Sequence, residues 1–294
     1  MKNKIIVILG PTSSGKTGLS IKLAKKFNGE VVSADSRQVY KGMDIGTGKV
    51  TKKEMAGIPH YLLDVANPKT RFSVAQYQSL ALKAIKDIQK KNKIPFLVGG
   101  TGFYIQSVAD GIIIPEVKPD WKLRKRLEKM TNEQLFAKLK ILDPRRAESI
   151  DRNNPRRLIR ALEIVLRSKR PVMPLLKNTR FEVLFLGIKR DQRELKTLIG
   201  KRLLKRLNEG MMDEVKQLHK SGVSWTRLEE LGLEYRYVAQ YLQSKLKYDE
   251  MVIKLQKEIE HYAKRQMTWF KRDKKIKWVK NYQQALKISK RFLT

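Results

Sequence analysis

The first third of the chain alternates between two hydrophobic rhythms. Short apolar runs recur: KIIVIL at 4–9, EVVSAD at 30–35, HYLLDV at 60–65 and IPFLVGG at 94–100. Runs that stay apolar without alternating suit strands covered on both faces. Between them lie segments with helical spacing, at 16–27 (Leu19, Ile21, Leu23, Ala24) and at 73–91 (Val74, Tyr77, Leu80, Ala81, Ala84, Ile85, Ile88). Strand and helix in alternation predict a parallel sheet with helices on both faces. Such sheets bind ligands beyond the carboxyl ends of their strands. Three of the expected strands end in Gly10, Asp35 and Gly99.

The rhythm breaks at Pro115 and Pro119, and 116–152 carries short, charged helical segments. NPRRLIRALEIVLRS at 154–168 then reads as a strong helix, with Asn154 as N-cap and Pro155 at its first position. VLFLGI at 183–188 returns as an apolar strand able to join the first sheet, and 191–271 reads as helix broken at Gly210, Gly222 and Gly232. The expected organisation is one α/β core, 1–115 with 153–294, interrupted by an inserted helical domain at 116–152; helix 154–169 fits with either. No run approaches the roughly 20 apolar residues of a membrane span, and the apolar start is too short for a signal sequence. A cytoplasmic chain with no membrane association is expected, and a monomer, since no interface signal stands out.

Charge changes the picture. The 294 residues carry 64 Lys and Arg against 29 Asp and Glu, a net charge of +35. Such an excess favours a polyanionic partner, nucleic acid above all, over a merely lysine-rich composition. It is also uneven: 19 basic against 7 acidic residues from Lys118 to Arg180, and 11 against one, Asp273, from Lys264 to Thr294. The last stretch interleaves Trp269, Phe270, Trp278 and Tyr282. Exposed aromatics stack on bases, but each of these alone reads better as packing for a C-terminal helix and strand. With no cysteine, disulfides and thiolate catalysis are excluded.

The candidate chemistry starts at GPTSSGKT, 10–17, which fits G-x-x-x-x-G-K-[ST] and lies between a strand and a helix. Gly10, Pro11, Thr12, Ser13, Ser14 and Gly15 form the phosphate-holding loop, Lys16 neutralises phosphate oxygens, and the Thr17 hydroxyl suits Mg²⁺. The fold class is therefore α/β with a P-loop NTPase-like parallel sheet, a basic helical insertion and a mostly helical C-terminal part. The usual hydrolase companions are weak. IPFLVGGTG ends in glycines and Thr101, and Asp64 is a strand-end carboxylate that suits a metal or a structural role equally. Asp35, beside the phosphate loop, is the better candidate; a carboxylate there ligates metal, caps a turn or accepts a proton from a nucleophile.

GPTSSGKT, DSRQVYKGMDIGTGK, PHYLLDV, LVGGTGFYIQSVADG, NPRRLIRALEI and KRQMTWF, in this order, resemble the tRNA dimethylallyltransferases, also called tRNA isopentenyltransferases. The resemblance covers roughly 1–115, 150–190 and 260–272. It implies transfer of a dimethylallyl group from dimethylallyl diphosphate to N6 of the adenosine 3′ of the anticodon, with Mg²⁺ assisting and diphosphate released. Residues 10–17 and Arg202 would then hold the diphosphate, and Asp35 would be the general base, with Lys16 and Thr101 also catalytic. The resemblance also implies tRNA contacts at Asp35, Ser36, Arg37, Gln38, Thr101, Arg124, Arg156, Arg157, Leu158, Ile159 and Arg160, with the insertion gripping the anticodon stem-loop.

Three departures from the family pattern stand out. Leu198 replaces an Arg common one turn before Arg202, EELGLEYRY at 229–237 carries an added Leu233 and Glu234, and the cysteine-dependent zinc tail of eukaryotic members is missing. Two rival readings remain at this point. A small-molecule kinase would share the loop and the insertion and turn over ATP, and a non-catalytic RNA-binding relative would keep the fold without transfer.

Overall fold

The computed structural model describes residues 3–174 and 176–294, which form two compact units, 3–111 with 179–294, and 112–178. In chain order the first unit begins β1 (Lys4–Leu9), α1 (Lys16–Lys26), β2 (Gly29–Ala34), α2 (Lys52–Met55), β3 (His60–Tyr61), α3 (Val74–Lys90), β4 (Ile94–Gly99) and α4 (Gly102–Ala109). The second unit holds α5 (Trp121–Leu127), α6 (Asn132–Leu142), α7 (Pro144–Ser149) and α8 (Pro155–Ser168). The chain then re-enters the first unit as β5 (Glu182–Ile188), α9 (Gln192–Asn208), α10 (Met211–Lys220), α11 (Trp225–Leu231), α12 (Leu233–Leu242), α13 (Tyr248–Phe270), β6 (Lys277–Val279) and α14 (Tyr282–Leu293).

The six strands make one parallel sheet in the order β3-β2-β4-β1-β5-β6. Alternate side chains of each strand go to opposite faces. Ile5, Val7 and Leu9 meet α3 and α4 through Tyr77, Ala81, Ile85 and Ile105, while Ile6 and Ile8 meet α1 and α14 through Leu23, Ala24 and Ala285. Burial on both faces explains why these strands read as unbroken apolar runs. Register brings Leu9, Ala34, Gly99 and Gly187 level at the carboxyl edge. The expected strand 60–65 is only His60–Tyr61. Leu62 and Asp64 adopt positive φ of 64° and 57°, which ends the extended backbone there. Asp64 pairs with Lys49 at 2.6 Å.

A second hydrophobic cluster joins α9 to α13 with Val39, Tyr40 and Met43. Its helices are broken where expected, at Gly210, Gly222 and Gly232, all with positive φ. Phe270 is buried and Trp269 and Trp278 pack against the same sheet face, so these aromatics serve the core. No described helix is long and apolar enough to cross a membrane.

The second unit runs from 112 to 178, longer than the expected 116–152, and includes α8. Leu158, Ile159 and Leu162 of α8 pack with Leu123, Leu127, Leu135 and Leu139. Asn154 caps α8 by accepting from Arg157 N, with Pro155 at the first helical position.

Candidate active site

The phosphate loop leaves β1 and delivers the chain into α1. Gly15 holds φ at 92°, a left-handed conformation that glycine adopts without a Cβ clash. The positive end of α1 therefore opens beyond the sheet edge. Lys16 folds back across the loop, and its Nζ donates to the Gly10 carbonyl at 3.1 Å and the Pro11 carbonyl at 2.7 Å. Burial pulls its pKa down to about 8; Asp35 opposes the shift and Arg202 adds to it.

Arg202 reaches the same place from α9. Its Nη2 donates to the Gly48 carbonyl at 3.2 Å, which also accepts from Gln38 Nε2 at 3.2 Å. Burial and then Arg206 lower its pKa to about 10, against Glu234, Asp35 and Glu54. Desolvation is the largest influence on both cations, a setting that favours an anion between them. Thr12 to Thr17, Asp35, Gln38, Thr47, Gly48, Glu54, Lys201, Arg202, Lys205, Tyr262 and Gln266 line one cleft of about 450 Å³.

Asp35 stands at the end of β2, on the cleft wall. Its Oδ1 accepts from Arg37 N at 2.8 Å and Gln38 N at 3.3 Å, so it caps the turn with one oxygen. Thr101 follows β4, donating its own N–H to the Ala34 carbonyl at 3.1 Å while its Oγ1 accepts from Ser36 N at 3.0 Å. These bonds tie the two strand ends together. Ser36, Arg37 and Gln38 are half-buried beside them. Among the described residues no group of three or more His, Asp or Glu is arranged for a metal. The Thr17 hydroxyl and the Asp35 and Glu54 carboxylates in the cleft are hard oxygen donors. They fit Mg²⁺, which takes one or two protein oxygens beside substrate phosphates and water.

The IPP transferase family model matches residues 38–273, most of the chain. The chain belongs to that family. It is 41% identical over 286 residues to the tRNA dimethylallyltransferase of Acetivibrio thermocellus, covering 94% of this chain and 91% of the relative. It is 44% identical over 276 residues to tRNA dimethylallyltransferase 1 of Syntrophus aciditrophicus, covering 92% and 90%. The crystal structure of the full-length tRNA isopentenylpyrophosphate transferase from Bacillus halodurans superposes with a TM-score of 0.74 at 35% identity, covering 99% of this chain and 96% of that one. A eukaryotic dimethylallyltransferase solved acting on tRNA gives 0.75 at 30% identity, covering 91% and 70%.

In this member of the family, residues 12–17, Asp35, Gln38 and Arg202 converge on the cleft, while Gly10 and Pro11 are buried behind it and hold Lys16 through their carbonyls. Ser36, Arg37 and Thr101 stand beside Asp35 in the first unit, and the other candidates, in the second unit, divide into two kinds. Arg156 and Arg157 are exposed on α8. Leu158 and Ile159, expected in the tRNA-contacting stretch, have side chains buried in the core of that unit, at 0% and 7% exposure. Arg124 and Arg160 both bind the buried Glu163, which also accepts from Asp120 N at 2.7 Å. Arg160 further donates to the Val117 carbonyl. Arg124 thus ties α5 to α8, and Arg160 ties α8 to the segment before α5.

Several cleft residues carry no obvious signal in the sequence. Gln266 and Tyr262 sit one turn apart on α13; Tyr262 is hydrogen-bonded to Thr101, and burial raises its pKa. The clue is a glutamine inside the apolar stripe Met251, Leu255, Ile259, Ala263 and Phe270. Glu214 of α10 holds the loop that ends at Gly48, accepting from Asp44 N, Ile45 N and Gly46 N at 2.7, 2.6 and 3.0 Å and from the Tyr235 hydroxyl at 2.7 Å. Glu234, one of the two unusual residues of 229–237, is buried and pairs with Arg206 at 2.8 Å. Leu198 brings an apolar side chain to the cleft, with Lys201 and Lys205 along the same helix.

Proposed function

We propose that this cleft transfers a dimethylallyl group from dimethylallyl diphosphate to N6 of the adenosine 3′ of the anticodon in tRNA. One observation carries the reading: the phosphate loop, Lys16 and Arg202 line the same cleft as the Asp35 carboxylate. The diphosphate lies against the loop, with Lys16 and Arg202 on its oxygens. The bond between the allylic C1 and oxygen breaks, and its electron pair leaves with the diphosphate. N6 forms the new bond to C1, and its proton passes to Asp35, whose Oδ2 is not used in capping the turn. A desolvated cation held in place before reaction stabilises charge on the leaving group without reorganisation. Mg²⁺ bound at Thr17 would neutralise further diphosphate charge.

The adenosine has to leave its stack to reach such a cleft. The exposed Arg156 and Arg157 of the basic second unit suit phosphates of the anticodon stem-loop. A tRNA substrate places the work in the cytoplasm. The test is transfer of labelled dimethylallyl diphosphate to unmodified tRNA with Mg²⁺, with ATP as a parallel donor. Label on tRNA adenosine is expected, with ATP inert. Phosphate release from ATP without labelled tRNA would instead favour a kinase.

A further inference from the structure

Gln266 is a buried polar residue in the middle of an apolar helix face, 7% exposed. Both ends of its amide are used, and each is used on a different loop. Its Oε1 accepts from Thr12 N in the phosphate loop at 2.8 Å, and its Nε2 donates to the Gly100 carbonyl at 2.9 Å. Gly100 precedes Thr101, which is bonded to Ser36 next to Asp35. The loop after β4 is shaped to permit this approach. A Cβ on Gly100 would stand 2.2 Å from Gln266 Nε2, and one on Gly102 2.4 Å from the Trp269 ring.

We propose that Gln266 is a positioning residue for the transfer reaction: it sets the spacing between the loop that holds the leaving diphosphate and the Thr101–Asp35 wall that receives the adenosine. This rests on the reading given above. Transfer needs the nucleophile and the allylic carbon in near-attack geometry, and a misplacement of about 1 Å costs on the order of 10²-fold. A carboxamide suits the task. It offers one donor and one acceptor in a rigid plane, and it carries no charge that would compete with the diphosphate for Lys16 and Arg202.

Two variants test the proposal against wild type, using dimethylallyl diphosphate, Mg²⁺ and unmodified tRNA. Gln266→Met keeps the volume and removes both bonds. Its kcat should fall about 10- to 100-fold, with KM for either substrate and pyrophosphate affinity by calorimetry within about threefold. Gln266→Glu is isosteric. Protonated, it still accepts from Thr12 N and donates to the Gly100 carbonyl; ionised, it sets two acceptors against that carbonyl. Its kcat relative to wild type should therefore approach unity at low pH and fall as pH rises, whereas the ratio for Gln266→Met should be flat. Melting curves without substrate should show the same divergence between the variants. Unchanged kcat in Gln266→Met, a loss confined to the KM for dimethylallyl diphosphate, or a flat ratio for Gln266→Glu would each overturn the proposal. Transfer by wild type tests the reading of the site separately, since the variants are judged only as ratios and by melting.

Discussion

Lys16 makes the cleft costly to fold. Its pKa falls from 10.5 to about 8 because folding removes its ammonium from water. Each pKa unit corresponds to about 1.4 kcal/mol, so holding the charged lysine at neutral pH costs at most about 3 kcal/mol of stability. The bonds it gives up are to the neutral carbonyls of Gly10 and Pro11. Lys16→Met should therefore be more stable than wild type at pH 7 without ligand, melting roughly 6 °C higher at about 2 °C per kcal/mol for a chain of this size. The sign with pH follows from the folded pKa lying below the unfolded one. Between about pH 8 and 10.5 the unfolded chain binds more protons, wild-type stability rises, and the gap to the variant closes. Pyrophosphate acts the other way. At about 100 times its Kd it should stabilise wild type by about 2.7 kcal/mol and the variant much less. Thermal melts at pH 7, 9 and 10.5, with and without pyrophosphate, measure all three effects. A variant that melts below wild type at pH 7, or a gap that stays constant up to pH 10.5, would refute the argument.

Asp35→Asn keeps an acceptor for Arg37 N and Gln38 N and removes the proton acceptor. Single-turnover transfer should drop about 10²- to 10⁴-fold with tRNA affinity within about threefold, and a parallel loss of binding would refute the base role. Glu214→Ala strips the acceptor from three backbone N–H groups and the buried Tyr235 hydroxyl. Urea denaturation should show a loss of about 3–5 kcal/mol, and an unmoved midpoint would count against that loop anchor. The double variant Arg156→Ala, Arg157→Ala should weaken tRNA binding and lower its log–log salt slope by about 1–2, while an unchanged slope would remove α8 from the RNA surface.

The sheet was legible because its strands are buried on both faces and each ends at a marked residue: Gly10, Asp35, Gly99. α8 was legible to its first residue because Asn154 and Pro155 are strong local signals. Local signals failed where a backbone angle decides the outcome, as at Leu62, whose positive φ nothing in its side chain announces. A count of charges cannot show that Arg124 and Arg160 both pair with the buried Glu163. The helical period of α8 turns Leu158 and Ile159 inward with Leu162, which the motif by itself does not indicate. In the cleft, the loop, Asp35 and Arg202 carried recognisable signals, while Gln266 and Glu214 act on backbone far away in sequence and resemble ordinary helix residues until the chain is folded.

The bond from Gln266 to Thr12 also bears on the order of synthesis. These residues are 254 positions apart. At about 5–20 residues per second, the ribosome needs roughly 13–50 seconds to make the second after the first. Meanwhile the phosphate motif is complete in the nascent chain, but β5, which pairs with β1, arrives only past its midpoint and α13, which clasps the loop, later still. A chain that stalls anywhere before α13 carries the motif without the machine, and on a polysome only the chains nearest completion can assemble it.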